Sequence, residues 1–417
     1  MRLIVFIALR QLWSRRLLNG IAVLGVALGV LVLVWMNAIL EGFQMKFKGE
    51  LLKVSPHVTL FDKELGGPRT LLEQLVPGAL AASVAHDQPS DRVTRVKRPR
   101  EWIRALEAMP EVAAACGTVA GQALVSRGTQ DLGIDLRGVV PEEQERCTPL
   151  SSYVLQGSWS ALSAGNDAIA LGSGIADAVG ARLGDRLRVV APGGRPVSLR
   201  VAAIYEAGIP AVDKTRAYVA LSTAQSILRR PDVIGRIEIR LRDPSGAVEF
   251  ARTLRAMTGN EALSWQELSA NFLSLFDLQR MIVRMVIAAI LTVSGFGILA
   301  IQIMIVLQKT RDIAILRSMG LRRADILLGF LLQGFIIAIV GGVIGDLAGW
   351  RLTEFLVHVP FKSEGMVKST HYLIHQDPLF YLWGVLFALV VGMVASFIPA
   401  WRGSRVEPVE VLRGQLG

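Results

Sequence analysis

Between two long apolar runs the sequence places "KTRDIAILRSMG" (309–320), and its residue types suit recognition rather than catalysis. Lys309, Arg311, Asp312 and Arg317 supply charge. Ile313, Leu316 and Met319 fall at helical spacing and make a short apolar face, with Ile315 beside it. Thr310 or a neighbour can start the helix and Gly320 can stop it. Such a helix is too short to cross a bilayer and too apolar to stand free in water. It suits a surface helix that fits a groove in another protein. The alternative is a plain basic loop beside a membrane.

The chemistry of an enzyme finds no constellation to carry it. No Gly-Lys dipeptide occurs, so the phosphate-binding G-x-x-x-x-G-K-[ST] loop cannot form and ATP hydrolysis by that route is excluded. "GSGIADAVG" (172–180) has one G-x-G, but the dinucleotide spacing fails. There is no H-E-x-x-H. His371 and His375 are four apart and fit one helix face, yet no third ligand stands near, so they read as loop or interface histidines and no metal site is expected. We expect no catalytic residue, no resident cofactor and no metal.

The elements that must position the 309–320 stretch are membrane spans. The chain has 417 residues, 52% of them hydrophobic, and its mean hydropathy of +0.45 is too high for an ordinary soluble domain. Four windows are long and apolar enough to cross a hydrocarbon core of about 30 Å. They run over residues 17–40, 281–307, 326–350 and 379–401. The first follows Arg2, Arg10, Arg15 and Arg16, as in a signal peptide. Its apolar run is too long for one and no A-x-A site follows, so it reads as an uncleaved anchor.

Orientation follows from Lys and Arg in the short flanks. The N-terminal segment (1–16), the 308–325 loop and the tail (402–417) are basic and are expected in the cytoplasm. The 351–378 loop holds Arg351, Lys362 and Lys368, offset by Glu354, Glu364 and Asp377. That loop and residues 41–280 are expected outside. The net charge of +10 then belongs largely to flanks beside anionic lipid and gives no reason to expect nucleic acid.

Residues 41–280 alternate strand and helix signals. "HVTLF" (57–61), "QALVSRG" with "GIDLRGV" around Gly128, the two runs flanking Pro192-Gly193-Gly194, and "GRIEIRLRD" read as strands. "REWIRALEAMP" and "AVEFARTLRAMTG" read as helices. The fold class is therefore a membrane protein with four transmembrane α-helices and a large α+β extracytoplasmic domain between spans one and two. Residues 62–99 read as a solvated loop, or as a basic partner-binding or lipid-headgroup surface. Cys116 and Cys147 read as two small unpaired apolar residues, with a disulfide as the alternative. A helical pattern runs from Trp265 into span two, where Arg280 and Arg284 are expected to reach the outer interface. Gly25 and Gly29, and Gly341, Gly345 and Gly349, make small-residue faces for close packing within the chain or along a dimer seam. Asp346 is costly in lipid and should face the bundle or lie near the outer surface.

Taken together, "KTRDIAILRSMGLRRADI" (309–326) and "PAWRGSRVEPVEVLR" (399–413) resemble the FtsX-like, macrolide-exporter-type ABC permeases. "NAILEGFQMKFKGELLKVSPHVTL" (37–60), "LGSGIADAVGARLGDRLRVVAP" (171–192) and "IYEAGIPAVDKTRAYVALSTAQ" (204–225) extend the resemblance to the lipoprotein-releasing, Lol-type branch. The resemblance implies a multi-pass protein of the bacterial inner membrane working with a second permease, as homo- or heterodimer, and two separate ABC ATPase subunits that bind ATP-Mg. It makes 309–320 the coupling helix, with Lys309, Arg311, Asp312, Ile313, Leu316, Arg317, Met319 and Gly320 as contact candidates. Met36, Leu40, Ile282 and Met285 become candidate liners of a cavity for membrane lipid or a lipoprotein's acyl chains. A periplasmic carrier or adaptor is a further implied partner. An efflux permease for a drug, peptide or lipid, or a regulator of a cell-wall enzyme, is the alternative. Three departures stand out: the short hairpin "VAPGGRPVSL" (190–199), the long 62–99 segment, and Asp312 where Glu is common.

Overall fold

The computed structural model describes residues 10, 13, 16–62, 95–363 and 365–407. Most of the expected 62–99 loop, Arg2, Arg15 and the tail beyond residue 407 lie outside the described residues. The chain divides into two compact units. One comprises residues 1–45, 275–362 and 369–417, and the other residues 46–274 with 363–368.

The chain enters on α1 (Arg16–Val54), which continues well past the apolar window 17–40 because "EGFQMKFKGELLKV" is rich in good helix formers and holds no proline, enough to carry the helix through Gly42 and Gly49. The second unit then builds an α+β domain. Its elements are β1 (Val58–Phe61), α2 (Pro99–Glu107), β2 (Val112–Arg127), β3 (Gln130–Val139), α3 (Pro141–Cys147), β4 (Val154–Gly157), β5 (Ala168–Gly172), α4 (Ser173–Val179), β6 (Arg186–Val190), β7 (Val197–Tyr205), β8 (Arg216–Ala220), α5 (Leu221–Ile227), β9 (Arg236–Leu241), α6 (Ala247–Thr258) and β10 (Glu261–Ser264). The strand order is β10-β1-β9-β2-β3-β8-β5-β7-β4, with β6 bridging β2 and β7. Most pairs are antiparallel, while β3–β8 and β5–β7 are parallel.

The turn chemistry explains the hairpins. Gly128 takes φ +62° between β2 and β3, and Gly193 takes φ +69° between β6 and β7, a region that costs a glycine nothing. β2 is the organising strand. Its first half pairs β9, with Cys116 opposite Glu238, and its second half pairs β3, with Ala123 opposite Ile134. One apolar core forms around Val119, Val125, Leu136, Ile169, Leu187 and Val219. Another forms around Val58, Leu60, Leu106, Val112, Ile239 and Leu254.

The cysteines depart from the expected unpaired state. Cys116 on β2 and Cys147 at the end of α3 form a disulfide, with Cα atoms 6.5 Å apart. Thirty-one positions separate them, and only the packing of α3 across β2 brings them together. The continuous helix expected from Trp265 is also broken. Ser264 accepts from the Glu267 N–H at 3.2 Å and Glu267 accepts from the Ser264 N–H at 2.8 Å. That box starts a separate short helix, Trp265–Leu268, which stops at Ser269.

The first unit holds α7 (Ala270–Gln308, from Leu275 onward), α8 (Thr310–Ser318), α9 (Arg323–Val357) and α10 (Pro378–Ser404), with the outset of α1. Among the described residues, α1, α7, α9 and α10 are long and apolar enough to cross a membrane. Between α9 and α10 a small hairpin joins β11 (Pro360–Ser363) and β12 (Ser369–His371). His371 therefore ends a strand and His375 lies in irregular chain, so the helix face considered for them does not exist.

Glycine spacing decides the packing of α9. A Cβ at Gly345 would lie 2.5 Å from the Ala27 carbonyl oxygen, and one at Gly341 would lie 2.8 Å from the Val26 Cβ. Gly349 meets Val34 in the same way. The stripe is thus used within the chain, against α1. Polar ties join other helices: the Ser294 hydroxyl donates to the Gly25 carbonyl at 2.8 Å, and Gln302 Nε2 donates to Ser396 Oγ at 2.9 Å. Asp346 faces α10, where a Cβ at Gly384 would come within 2.7 Å of its Oδ1.

Candidate functional site: the helix between spans two and three

α7 ends and α8 begins within two residues. The Lys309 N–H still donates to the Ile305 carbonyl at 3.0 Å, while the Thr310 hydroxyl donates back to Val306 and Leu307, both at 2.9 Å. The Lys309 carbonyl then accepts from Ile313, opening the new helix. At the other end Gly320 adopts φ +101°, and the Leu321 N–H returns to the Leu316 carbonyl at 3.2 Å. A glycine is required there, because a side chain would be strained. Asp325 accepts the Arg322 N–H at 3.0 Å and starts α9.

Burial across α8 differs from the expected face. Ile313 is 3% exposed and packs with Ile305, Val306, Ile326, Phe330 and Ala400. Among the contact candidates it therefore faces the bundle and not the exposed side of α8. Leu316 is half-buried, and Arg317 turns inward to donate to the Val406 carbonyl. The outward stripe is Arg311, Ile315 and Met319, spaced by four, with Asp312 beside it. Ile315 is 44% and Met319 75% exposed. Lys309 is held by Asp312 at 2.6 Å. Ile315, expected beside the apolar face, lies on the exposed one. Its spacing from Arg311 and Met319 was readable, but the 313/316/319 alternative fits the helical period equally well. Packing against α7, α9 and Val406 chooses between them.

The cavity candidates divide. Leu40 is buried and Met36 partly buried in the cluster built on Val30, Val34, Val283 and Ile287. Ile282 and Met285 lie on the opposite side of α7 and are 50% and 63% exposed. The four therefore do not line one surface within this chain, because the buried stripe of α7 runs through Val283, Ile287 and Leu291. Near them is a cleft of about 310 Å3 lined by Asn37, Leu40, Glu41, Gln44, Arg280 and Arg284. Arg280 Nε donates to Gln44 Oε1 at 2.9 Å, so this arginine is tied to α1.

Among the described residues no cluster of His, Cys, Asp and Glu could hold a metal ion. The outward unit has its own buried charges. Arg137 binds Asp135 at 3.1 Å and Glu238 at 3.2 Å, and these carboxylates help to hold its pKa above the usual value against the cost of burial. Burial, aided by the Arg240 charge, lowers the pKa of His57. Burial raises that of Asp213, although one of its oxygens accepts the Ala207 N–H at 2.7 Å.

Four apolar helices with a large α+β insertion after the first define a multi-pass membrane protein with a single large soluble domain. The profile of the MacB-like periplasmic core domain matches residues 20–257, and that of the FtsX-like permease C-terminal region matches residues 284–408. The chain belongs to the FtsX-like permeases that carry a MacB-like periplasmic core domain. It is 27% identical to the lipoprotein-releasing system transmembrane protein LolC of Xylella fastidiosa, over 98% of each chain. It is 24% identical to LolE of Haemophilus influenzae, over 95% of this chain and 94% of that one. The macrolide export ATP-binding/permease protein MacB of Nitrobacter winogradskyi is 28% identical over 47% of this chain and 30% of that one. Four apolar helices and these relatives mark a bacterial inner-membrane protein.

Proposed function

We propose that the chain is the permease subunit of an ATP-driven ABC transporter of lipoprotein-releasing type. The observation that carries this reading is the exposed stripe of Arg311, Asp312, Ile315 and Met319 on a short helix between two spans, in a chain that aligns with LolC over nearly its full length. An apolar pair flanked by charges on a fixed helix is the pattern of a helix seated in a partner's groove. The partner is a separate ATPase subunit, which binds the ATP-Mg. Two ATPases serve two permeases, the second being another copy or a related chain.

In this reading α8 and both termini lie in the cytoplasm, as the basic flanks require, and residues 46–274 lie in the periplasm. Closure of the ATPases draws the two α8 helices together, and the spans pass that movement outward. The work is extraction of a lipidated protein from the outer leaflet. Met36, Ile282 and Met285 meet its acyl chains, and Leu40 joins only if α1 and α7 part. The partial match to MacB supports a second reading, efflux of a drug, peptide or lipid through a periplasmic adaptor.

The test is co-purification in detergent with candidate ABC ATPase subunits from the same genome. The double variant Ile315→Asp/Met319→Asp should lose the ATPase while its melting temperature stays that of the wild type, because both side chains are exposed. Ile313→Asp, by contrast, should fail through misfolding. Retention of the ATPase by the double variant would place the contact elsewhere, and no ATPase on the wild type would sink the assignment.

A further inference from the structure

The outward unit encloses a cavity of about 560 Å3 that the transport reading does not use. That volume falls within the range of about 300–1,000 Å3 typical of small-molecule sites. Its two kinds of wall differ sharply in chemistry. One is apolar, made by Phe47, Leu51, Trp265, Leu268 and Phe272. The other is charged, made by Arg137, Arg216, Arg236 and Glu238.

The charges at this wall do not cancel. Among the described residues, three guanidinium groups meet two carboxylates, those of Asp135 and Glu238. Arg137 occupies both, at 3.1 and 3.2 Å. Arg216 reaches only Asp135, at 3.9 Å through Nε, and its Nη1 is buried with no hydrogen-bond partner. Arg236 has no carboxylate within ion-pair distance among the described residues. Burial and the nearby Arg137 charge depress its pKa, as expected where positive charge is in excess. A buried guanidinium nitrogen without a partner is costly, and an acceptor with negative charge would relieve it.

We propose that this cavity binds a single-chain anionic amphiphile, with its carboxylate or phosphate at Arg216 and Arg236 and its hydrocarbon chain along Phe47, Leu51, Trp265 and Phe272. A neutral chain would leave the guanidinium donors unmet, and a small anion would leave the aromatic wall unused. Both halves of the cavity are satisfied only by a ligand with both characters. The proposal rests on the cavity alone and does not depend on the ATPase or on the cargo.

The experiment uses the full chain in phosphatidylcholine nanodiscs and a long-chain fatty acid carrying a terminal diazirine. After irradiation, peptide mapping should find label on segments 47–51 and 265–272, displaced by unlabelled competitor. Oleate as the stronger competitor would identify a fatty-acid carboxylate as the source. Lysophosphatidic acid as the stronger would identify a lysolipid phosphate. Arg236→Gln and Arg216→Gln should each reduce this labelling by about tenfold, the worth of one charge-assisted hydrogen bond. Labelling of the span peptides should stay unchanged and serves as the internal control. Should either arginine variant lose its melting transition, Leu268→Glu decides instead, since that exposed rim residue would set a like charge at the mouth without disturbing the core. Label confined to the spans would overturn the proposal. So would equal labelling of the cavity by the matching diazirine alcohol, or indifference to all three substitutions.

Discussion

His57 sits at the start of the outward domain with little exposure, its Nδ1 3.1 Å from the backbone N–H and carbonyl of Leu241. Burial and the charge of Arg240 favour its neutral form and outweigh the opposing backbone hydrogen bonds to Leu241 and Leu52 and the charge of Asp243. The folded pKa therefore lies below the usual histidine value of about 6.5, and the folded state binds fewer protons than the unfolded one near that pH. Stability from this residue is complete above the unfolded pKa and falls as pH drops from there through the folded value. The slope cannot exceed about 1.4 kcal/mol per pH unit for one proton. Urea midpoints followed by tryptophan fluorescence should decline from neutral pH to mildly acidic pH, and His57→Asn should flatten that decline. An unchanged slope in the variant would move the cause to another group. The strand that begins just after His57 was legible from "HVTLF". The histidine's burial was not, because it arises from pairing with β9 and β10 almost two hundred positions away.

At the scale of elements, helices were easier to read than the contacts between them. The glycine stripe on α9 was visible as a spacing of four, but the same spacing serves a seam within the chain or between chains. The structure assigns it to α1 through the close approach of Gly345 to Ala27. Gly345→Leu should therefore destabilise the bundle by about 1–3 kcal/mol or more, as overpacking does. Gly297→Leu on α7, where the added Cβ meets nothing within 4 Å, should be near neutral. Thermal melts of the full chain in one detergent would compare them, and equal losses would place the stripe outside the packed interface. Strand pairing was hidden for another reason. "VAAACGTVAG" has too many small residues to alternate, so β2 does not announce itself as a sixteen-residue strand. The parallel pairs β3–β8 and β5–β7 join segments with other elements between them, and no local signal marks such partners.

At the scale of the molecule, hydropathy separated the apolar helices from the soluble domain, and the structure likewise forms two compact units. What composition could not reveal is how the outward domain is held together. β2 contributes Val112 and Ala115 to one apolar core and Val119, Ala123 and Val125 to another. A strand shared in this way denies the domain a seam along which one half could melt while the other persists. The two cores that β2 joins should behave as one cooperative foldon. Under native hydrogen–deuterium exchange, the amides of residues 112–118 and 119–127 should open together with one free energy. Two distinct opening energies would mean that the strand yields at its middle, and that the halves are free to fluctuate apart.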